Sequence, residues 1–472
     1  MVKMMSASLE DVKDFKFILD EAVRINKELT SSSNFMEFYK KEYNGNFGSL
    51  GMTIDAPYDL IKGRTDLSRT QIHLSYASYE KLYAISARFI KSNRLEMLVT
   101  TDEFLSNLKK MLFMHIWVEN GSCDRSGCTI LLNKTLKLTR REMSEEDFYY
   151  PILAHGLERD IMSIGRVDII SAEKMHLTIS DDFTEQQLDL AKKFCSSHKF
   201  HYKHYLKIPV SKRSKLSRQR IAKNIACFVV GILQLFGVHY NISPYFLSIS
   251  TDPYPNYDGF YLSKKPNEMF NYHYSTKGTI ANSGEFWNKF EDDYKSDLGL
   301  VLSRLIELAI EPHENSVIAD RLIDAIYLFS SAQQDKDESS RIVKLTTALE
   351  RLVSLSSEKK DSSTTKNFVS RVSSLVSIYY QDEKKWARVA QEMYKTRSDI
   401  AHGSWSVYRG VEPLYSSKYN ELTCRAIFSA CVGFYNQNFT TVNKDNFVKA
   451  FFDSLGKVRI SHQTQKNAYV SD

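Results

Sequence analysis

The sequence predicts a mainly α fold: an all-α helical bundle at the C-terminus, preceded by a mixed α/β, α-rich N-terminal region. Three observations predict it. Beyond residue 280, apolar residues recur at helical spacing and the connections are short and polar. Before residue 240, helical patterns alternate with short stretches of strand-like character. Between the two, Tyr240 to Thr279 is rich in Pro, Asn, Ser and Tyr and has little helical periodicity, which marks a boundary. A chain of 472 residues exceeds one ordinary core. The expected organisation is an α-rich region over 1–125, a mixed basic region over 126–280 and a helical domain over 281–472.

The elements follow from local patterns. Ser8 to Leu29 reads as an amphipathic helix, with Val12, Phe15, Phe17, Ile18, Ala22 and Ile25 on its apolar face. A Ser31-Ser-Ser break and the Asn44-Gly-Asn-Phe-Gly loop follow. Helices are expected over Tyr79 to Ser92 and Thr101 to Trp117. Thr129 to Leu138 and Met175 to Ile179 read as strands. Asp182 with Glu185 starts a helix towards Ser196 by capping-box spacing. Lys199 to Val210 alternates as a strand, and Ser217 to Phe236 is a helix. The C-terminal helices are expected over Phe286 to Glu311, Ile318 to Ala332, Ser340 to Ser354, Thr365 to Tyr380, Glu383 to His402, Tyr415 to Phe439 and Asn443 to Leu455.

Composition narrows the class. With 43% hydrophobic and 25% charged residues, the chain is globular rather than disordered. The net charge of +6 is mild, but its distribution is not: Leu190 to Thr251 contains no Asp or Glu. Within that stretch, Lys212, Arg213, Lys215, Arg218 and Arg220 form a candidate nucleic-acid-binding group. Six cysteines do not make a disulfide scaffold, so a cytoplasmic protein is expected. The N-terminus lacks a secretory pattern. The apolar run Ile225 to Val238, interrupted by Gln234, is shorter than the ~20 residues of a membrane span and is expected to be a buried helix. Cys195, His198, His201 and His204, with Cys123 and Cys128 at a distance, lack the paired-ligand spacing of a zinc site. No metal or other cofactor is expected. Alternating rings and cations in the same run suit a surface that meets RNA, or an ordinary solvated face. No Walker loop, dinucleotide fingerprint or HExxH is present, so kinase, ATPase, dehydrogenase and zinc-protease chemistry have no support.

The segment with the most chemistry is Tyr394-Lys-Thr-Arg397-Ser398-Asp399-Ile-Ala-His402-Gly403. Arg397 is a permanent cation that can hold a phosphate in a bidentate way. His402 can move a proton near neutral pH. RNA carries its own nucleophile, the 2′-hydroxyl, so an acid–base group and a phosphate clamp suffice for cleavage without a metal. Five residues along an α-helix rotate a side chain by about 140°, so Arg397 and His402 do not share a face. A compact site then needs a second helix. Gly403 fits a left-handed helix cap, and His402 at that helix end would suit a cation for stability alone. Glu350 is expected to pair with Arg397, or else to be solvated; Asp399 either tunes the site or is exposed.

Two segments resemble the HEPN superfamily, in particular its ApeA-like branch from bacterial antiphage systems. Leu345-Thr-Thr-Ala-Leu-Glu350-Arg-Leu-Val resembles one family helix, and Met393 to Gly403 resembles the helix with the Arg-x4-His motif. Phe368-Val-Ser-Arg371-Val-Ser-Ser-Leu-Val resembles the apolar helix between them. The resemblance covers about residues 290–455. HEPN ribonucleases generally keep a polar residue after the motif arginine, often Asn, Asp or His; here it is Ser398, which is compatible with the ApeA-like branch. The resemblance implies an endoribonuclease in abortive-infection defence, with Arg397 and His402 catalytic and Glu350, Tyr394, Ser398 and Asp399 supporting them. It implies RNA, tRNA included, as substrate, a homodimer through the helical domain, and a phage-derived trigger acting on the N-terminal region. The competing class is a non-catalytic HEPN module for dimerisation, adaptor function or RNA binding.

Overall fold

Helix α1 (Leu9–Ser31) opens on a reciprocal cap. Ser8 Oγ donates to Asp11 Oδ2 at 2.7 Å, and Asp11 N donates to Ser8 Oγ at 3.0 Å. Phe15, Ile18, Ala22 and Ile25 are buried along one stripe. Phe17, expected on that stripe, is exposed, because two residues from Phe15 is a rotation of about 200°. The Lys81 ammonium lies 5.2 Å from the centre of its ring. The computed structural model describes residues 6–31, 40, 53–57, 60, 70–154, 156–175, 184–196, 203–241, 257–263, 271–276, 284–311, 317–335, 337–355, 358, 364–404, 417–435 and 446–455. The fold is mainly α. The chain divides into two units, residues 1–146 with 211–220, and residues 147–210 with 221–472. The division falls at 146/147 and around 211–220.

In the first unit, α1 packs with α2 (Tyr76–Ser92) and α4 (Arg125–Arg141), and α3 (Thr101–Phe113) packs on both of those helices. Leu82, Phe89, Phe104, Leu108, Leu131 and Leu132 form the centre of that core. Thr100 and Glu103 close a capping box at the start of α3. Helix α3 rewinds at Met114 into a π turn over Met114–Val118, so the expected Thr101 to Trp117 helix changes pitch. A short antiparallel ladder, β1 (Thr53–Asp55) on β2 (Gln71–His73), completes the unit. Helix α4 replaces the strand expected over Thr129 to Leu138. Cys128, Leu131, Leu132, Thr135, Leu136 and Thr139 are buried, which is helical spacing. The hydroxyls of Thr129, Thr135 and Thr139 each donate to the carbonyl four residues back, at 2.7, 2.9 and 2.9 Å. Threonine thus satisfies its hydroxyl inside the helix, against its strand preference.

A four-stranded sheet has the order β3 (Ser144–Ile152), β6 (His204–Arg213), β5 (Val167–Ser171), β4 (Ile161–Ile164). β5 is antiparallel to both neighbours, with Asp168 opposite Lys207 and Ile170 opposite Tyr205. In β6, Leu206, Ile208 and Val210 enter the main core of the second unit, while Tyr205 packs with Ile170 and Met175 on the other side. The expected strand over Lys199 to Val210 continues to Arg213, and residues 199–202 lie outside the described residues. Met175 belongs to a helical turn at 172–175 and not to a strand; residues 176–179 and Asp182 are outside the described residues. Helix α5 (Glu185–Ser196) follows.

Helix α6 (Lys215–His239) is long and apolar enough to cross a membrane by length and composition, but its apolar residues from Ala222 to Phe236 lie in the core of the second unit. It approaches the helix that carries Ile326 closely at Gly231, where a Cβ would come 2.8 Å from Ile326 O. β7 (Tyr257–Ser263) and β8 (Asn271–Thr276) pair as an antiparallel ladder within the Pro- and Tyr-rich stretch.

The C-terminal helices are α7 (Gly284–Tyr294), α8 (Asp297–Ile310), α9 (Val317–Gln334), α10 (Glu338–Val353), α11 (Thr364–Ser377), α12 (Glu383–Ala401), α13 (Ser417–Tyr435) and α14 at 446–455. The single helix expected over Phe286 to Glu311 is two. The chain turns at Lys295–Ser296, and the Tyr294 carbonyl occupies the space a Cβ on Gly299 would need, 1.6 Å away. Helix α13 is apolar around most of its circumference, from Tyr419 to Phe434, and packs on α8, α9, α10, α11 and α12.

Candidate active site

The site forms where α12 meets α10. Asp382, in the left-handed region at φ 70°, caps α12 by accepting from Lys385 N at 3.1 Å. Trp386, Val389, Ala390 and Met393 form its buried stripe. Arg397 lies eleven residues after Trp386, about 20° away around the helix, so it continues that stripe. Its side chain is accordingly drawn inward. Its Nε is buried and has no hydrogen-bond partner among the described residues. Its Nη2 lies 3.7 Å from Glu350 Oε2 on α10. At that distance the contact is an ion pair without a hydrogen bond.

Burial pushes the Glu350 carboxyl above the ordinary carboxylate value, and the Arg397 charge pulls it part of the way back. A cavity of about 330 Å³ opens beside Glu350, lined also by Thr347, Arg351, Glu358, Phe368 and Arg371. Arg371 holds both oxygens of Glu358, each at 2.7 Å.

The other end of the motif is built by backbone. Helix α12 ends in a full Schellman cap: Gly403 N donates to Ile400 O at 3.3 Å and Ser404 N donates to Asp399 O at 3.0 Å. Gly403 supplies the left-handed residue at φ 77°, as the sequence predicts. His402 is the cap residue and is exposed; its amide donates to Ser398 O at 2.9 Å. Ser398 and Asp399 thus meet the cap through their carbonyls. Tyr394 is half-buried, its ring 4.8 Å from that of Phe368 on α11. Arg397 is therefore partly buried beside α10 while His402 is exposed.

The basic group in the first unit has a different character. Arg213 is fully buried and Arg218 nearly so. Arg218 Nε donates to Glu146 Oε2 at 2.8 Å, and its Nη1 donates to the carbonyls of Ser144 and Arg213. These two arginines are structural and are withdrawn from the candidate nucleic-acid surface. Lys212, Lys215 and Arg220 remain exposed, and Arg220 also reaches Glu96 O at 3.2 Å. Glu103 accepts from Leu216 N at 2.7 Å and from the Ser214 hydroxyl, placing a carboxylate at the amino end of α6. The run is thus as much a helix start as a surface feature. Cys195 lies on α5, His204 is buried at the start of β6, and His198 and His201 lie outside the described residues. Among the described residues, no group of three His, Cys, Asp or Glu is placed to hold a metal ion.

Sequence reasoning missed Arg321 and the roles of Arg371 and Glu358. Arg321, on α9, is buried and donates to the carbonyls of Arg351, Leu352 and Ser354 at 3.1, 3.3 and 2.9 Å. It closes the end of the helix that carries Glu350. An arginine within an apolar stripe is the signal that could have found both arginines.

The raised Glu350 carboxyl gives a stability prediction. A carboxyl that binds its proton more tightly in the folded chain costs stability once the pH exceeds its unfolded value of 4.5. The penalty is complete above the raised folded value and absent below 4.5. Glu350→Gln is therefore expected to unfold at higher denaturant than wild type at pH 7, with the gap closing as the pH falls towards 4. Denaturant midpoints at both pH values check it; a variant less stable than wild type at pH 7, with the deficit shrinking towards pH 4, would show that the carboxylate holds the fold together.

Compared with protein-family models, curated proteins and solved structures, the chain matches none.

Proposed function

We propose that the C-terminal unit is a metal-independent endoribonuclease of the HEPN type, acting in abortive-infection defence. The observation that carries the reading is the arrangement of α12: an arginine anchored beside a half-buried carboxylate, and a histidine exposed at the capped end of the same helix. Arg397 would hold the non-bridging phosphate oxygens as negative charge grows on them. His402 would take the 2′-hydroxyl proton or deliver one to the leaving 5′-oxygen. The 2′-oxygen bonds to phosphorus as the bond to the 5′-oxygen breaks, leaving a 2′,3′-cyclic phosphate and a 5′-hydroxyl. One helix turns its Arg and His apart, so two copies across a two-fold axis would complete the site, with RNA, tRNA included, in the cleft. A homodimer and control by the N-terminal unit through a phage-derived trigger belong to this reading.

The direct test is the chemistry of the ends. Purified chain incubated with total RNA in EDTA is expected to yield fragments that a polynucleotide kinase labels at the 5′ end without prior dephosphorylation. Fragments bearing 5′-phosphates, or cleavage abolished by EDTA, would replace this reading with a metal-dependent one. Intact RNA under conditions in which expression of the chain arrests growth would favour the adaptor class.

A further inference from the structure

The first unit contains a pair of thiols that the proposed ribonuclease chemistry does not use. Cys123 immediately precedes Asp124, the residue that caps α4 by accepting from Gly127 N at 2.8 Å. Cys128 is the fourth residue of that helix. The residue before a helix cap and the fourth residue inside the helix are the two positions of the hydrophobic staple, whose side chains meet across the first turn. Here both positions are cysteine.

The structure shows the meeting. Cys128 is fully buried, and Cys123 is half-buried against the same core cluster. Cys128 Sγ lies 3.5 Å from Cys123 O. The chain can fold this tightly because residue 127 is glycine: a Cβ there would lie 1.8 Å from Ser122 O. The approach is fixed on its other side by His115, whose Nε2 is 2.9 Å from Ser122 O, and by Gly121 N donating to His115 O at 2.7 Å. The loop before α4 is thus held on both sides.

We propose that Cys123 and Cys128 form a redox-active dithiol that hydroperoxides convert to an intrachain disulfide. The roles are unequal. A hydrogen bond between the two thiol side chains lowers the Cys123 pKa, against the effect of burial. The same hydrogen bond, with burial, raises Cys128. Cys123 is also the more accessible of the two, so it reacts first. Its thiolate attacks one oxygen of hydrogen peroxide, the O–O bond breaks, and the departing hydroxide takes a proton to become water. Cys123 is then a sulfenic acid. Cys128 loses its proton, its sulfur attacks the Cys123 sulfur, the S–O bond breaks, and a second water leaves. Two thiols lose two electrons in total, and one peroxide gains them. The bridge would pin the start of α4 to the loop that precedes it.

The test uses the full-length chain. It is treated with hydrogen peroxide, its remaining thiols are alkylated, and its peptides are mapped by mass spectrometry without reduction. The expected product links the Cys123 and Cys128 peptides and reverts on adding a thiol. Before oxidation, Cys123 should react with iodoacetamide on the order of ten times faster than Cys227, whose thiol is pushed up by burial. In Cys128→Ala, peroxide should leave a sulfenic acid at Cys123 that dimedone traps. In Cys123→Ser, a change at a half-buried position, the same dose should leave Cys128 reduced. A bridge from either cysteine to a different partner overturns the proposal. So does full alkylation of both thiols after a dose that oxidises Cys227.

Discussion

Alanine at either Arg397 or His402 is expected to lower RNA cleavage by about 10²–10⁴-fold, the range for losing a positioned acid–base group or an oxyanion-stabilising cation. Neither change should unfold the protein. His402 is exposed, and its structural contribution is an amide hydrogen bond that alanine keeps. Among the described residues, Arg397 makes a 3.7 Å ion pair with a carboxylate that burial already disfavours. Arg397→Lys keeps a point charge but not the fork, and should fall between wild type and alanine. The divergence of the two side chains allows a sharper experiment. If a two-fold dimer takes Arg397 from one copy and His402 from the other, mixing the two inactive variants restores one intact site in every mixed dimer. With random reassortment, half the dimers are mixed and half their sites are intact, so roughly a quarter of wild-type activity returns. Complete inactivity of the mixture, with dimers demonstrated, would place Arg397 and His402 of the same chain in each site. Full activity of either single variant would remove that residue from the chemistry.

What the sequence made legible follows from which forces are local. The end of α12 could be read because a Schellman cap needs only a glycine at the right place, and Gly403 stands there. The Arg397–His402 divergence could be read because helix rotation is fixed by residue count. The pairing of Glu350 with Arg397 was one of two open readings, since it depends on how α10 packs on α12. Helix α4 reads as a strand in the sequence because Thr129 and Thr135 carry a strand preference that their i−4 carbonyls overrule. The basic run from Lys212 to Arg220 was read by charge alone. Its distant partners, Glu103, Glu146 and the carbonyls of Ser144 and Glu96, lie 72 to 124 residues earlier in sequence, where no local pattern could point to them. Buried arginines were missed for the same reason: a charged side chain reads as solvated unless its acceptors are known, and backbone carbonyls have no sequence signature.

Arg321 is where that blindness matters most, and Arg321→Met is expected to destabilise the region around α10 by about 3 kcal/mol. The last carbonyls of a helix have no partner within it and need donors from elsewhere. Arg321 supplies them at once to Arg351, Leu352 and Ser354, and brings a positive charge to the negative end of the helix dipole. Methionine fills similar space and keeps the apolar contacts, so the loss isolates the hydrogen bonds and the charge from the packing. Lysine should rescue little, because one ammonium cannot span three carbonyls as the guanidinium does. Amide hydrogen exchange over 345–353 measures the effect where it arises: about 3 kcal/mol corresponds to exchange roughly 100-fold faster through local opening. Exchange unchanged in Arg321→Met would mean that packing against α9 alone holds the end of α10. Cleavage should fall as well, since Glu350 sits in the last turn of α10 and is placed opposite Arg397 only while that turn is formed. A variant that frays there but cleaves RNA at the wild-type rate would show that Glu350 is dispensable, leaving Arg397 and His402 to carry the chemistry without it.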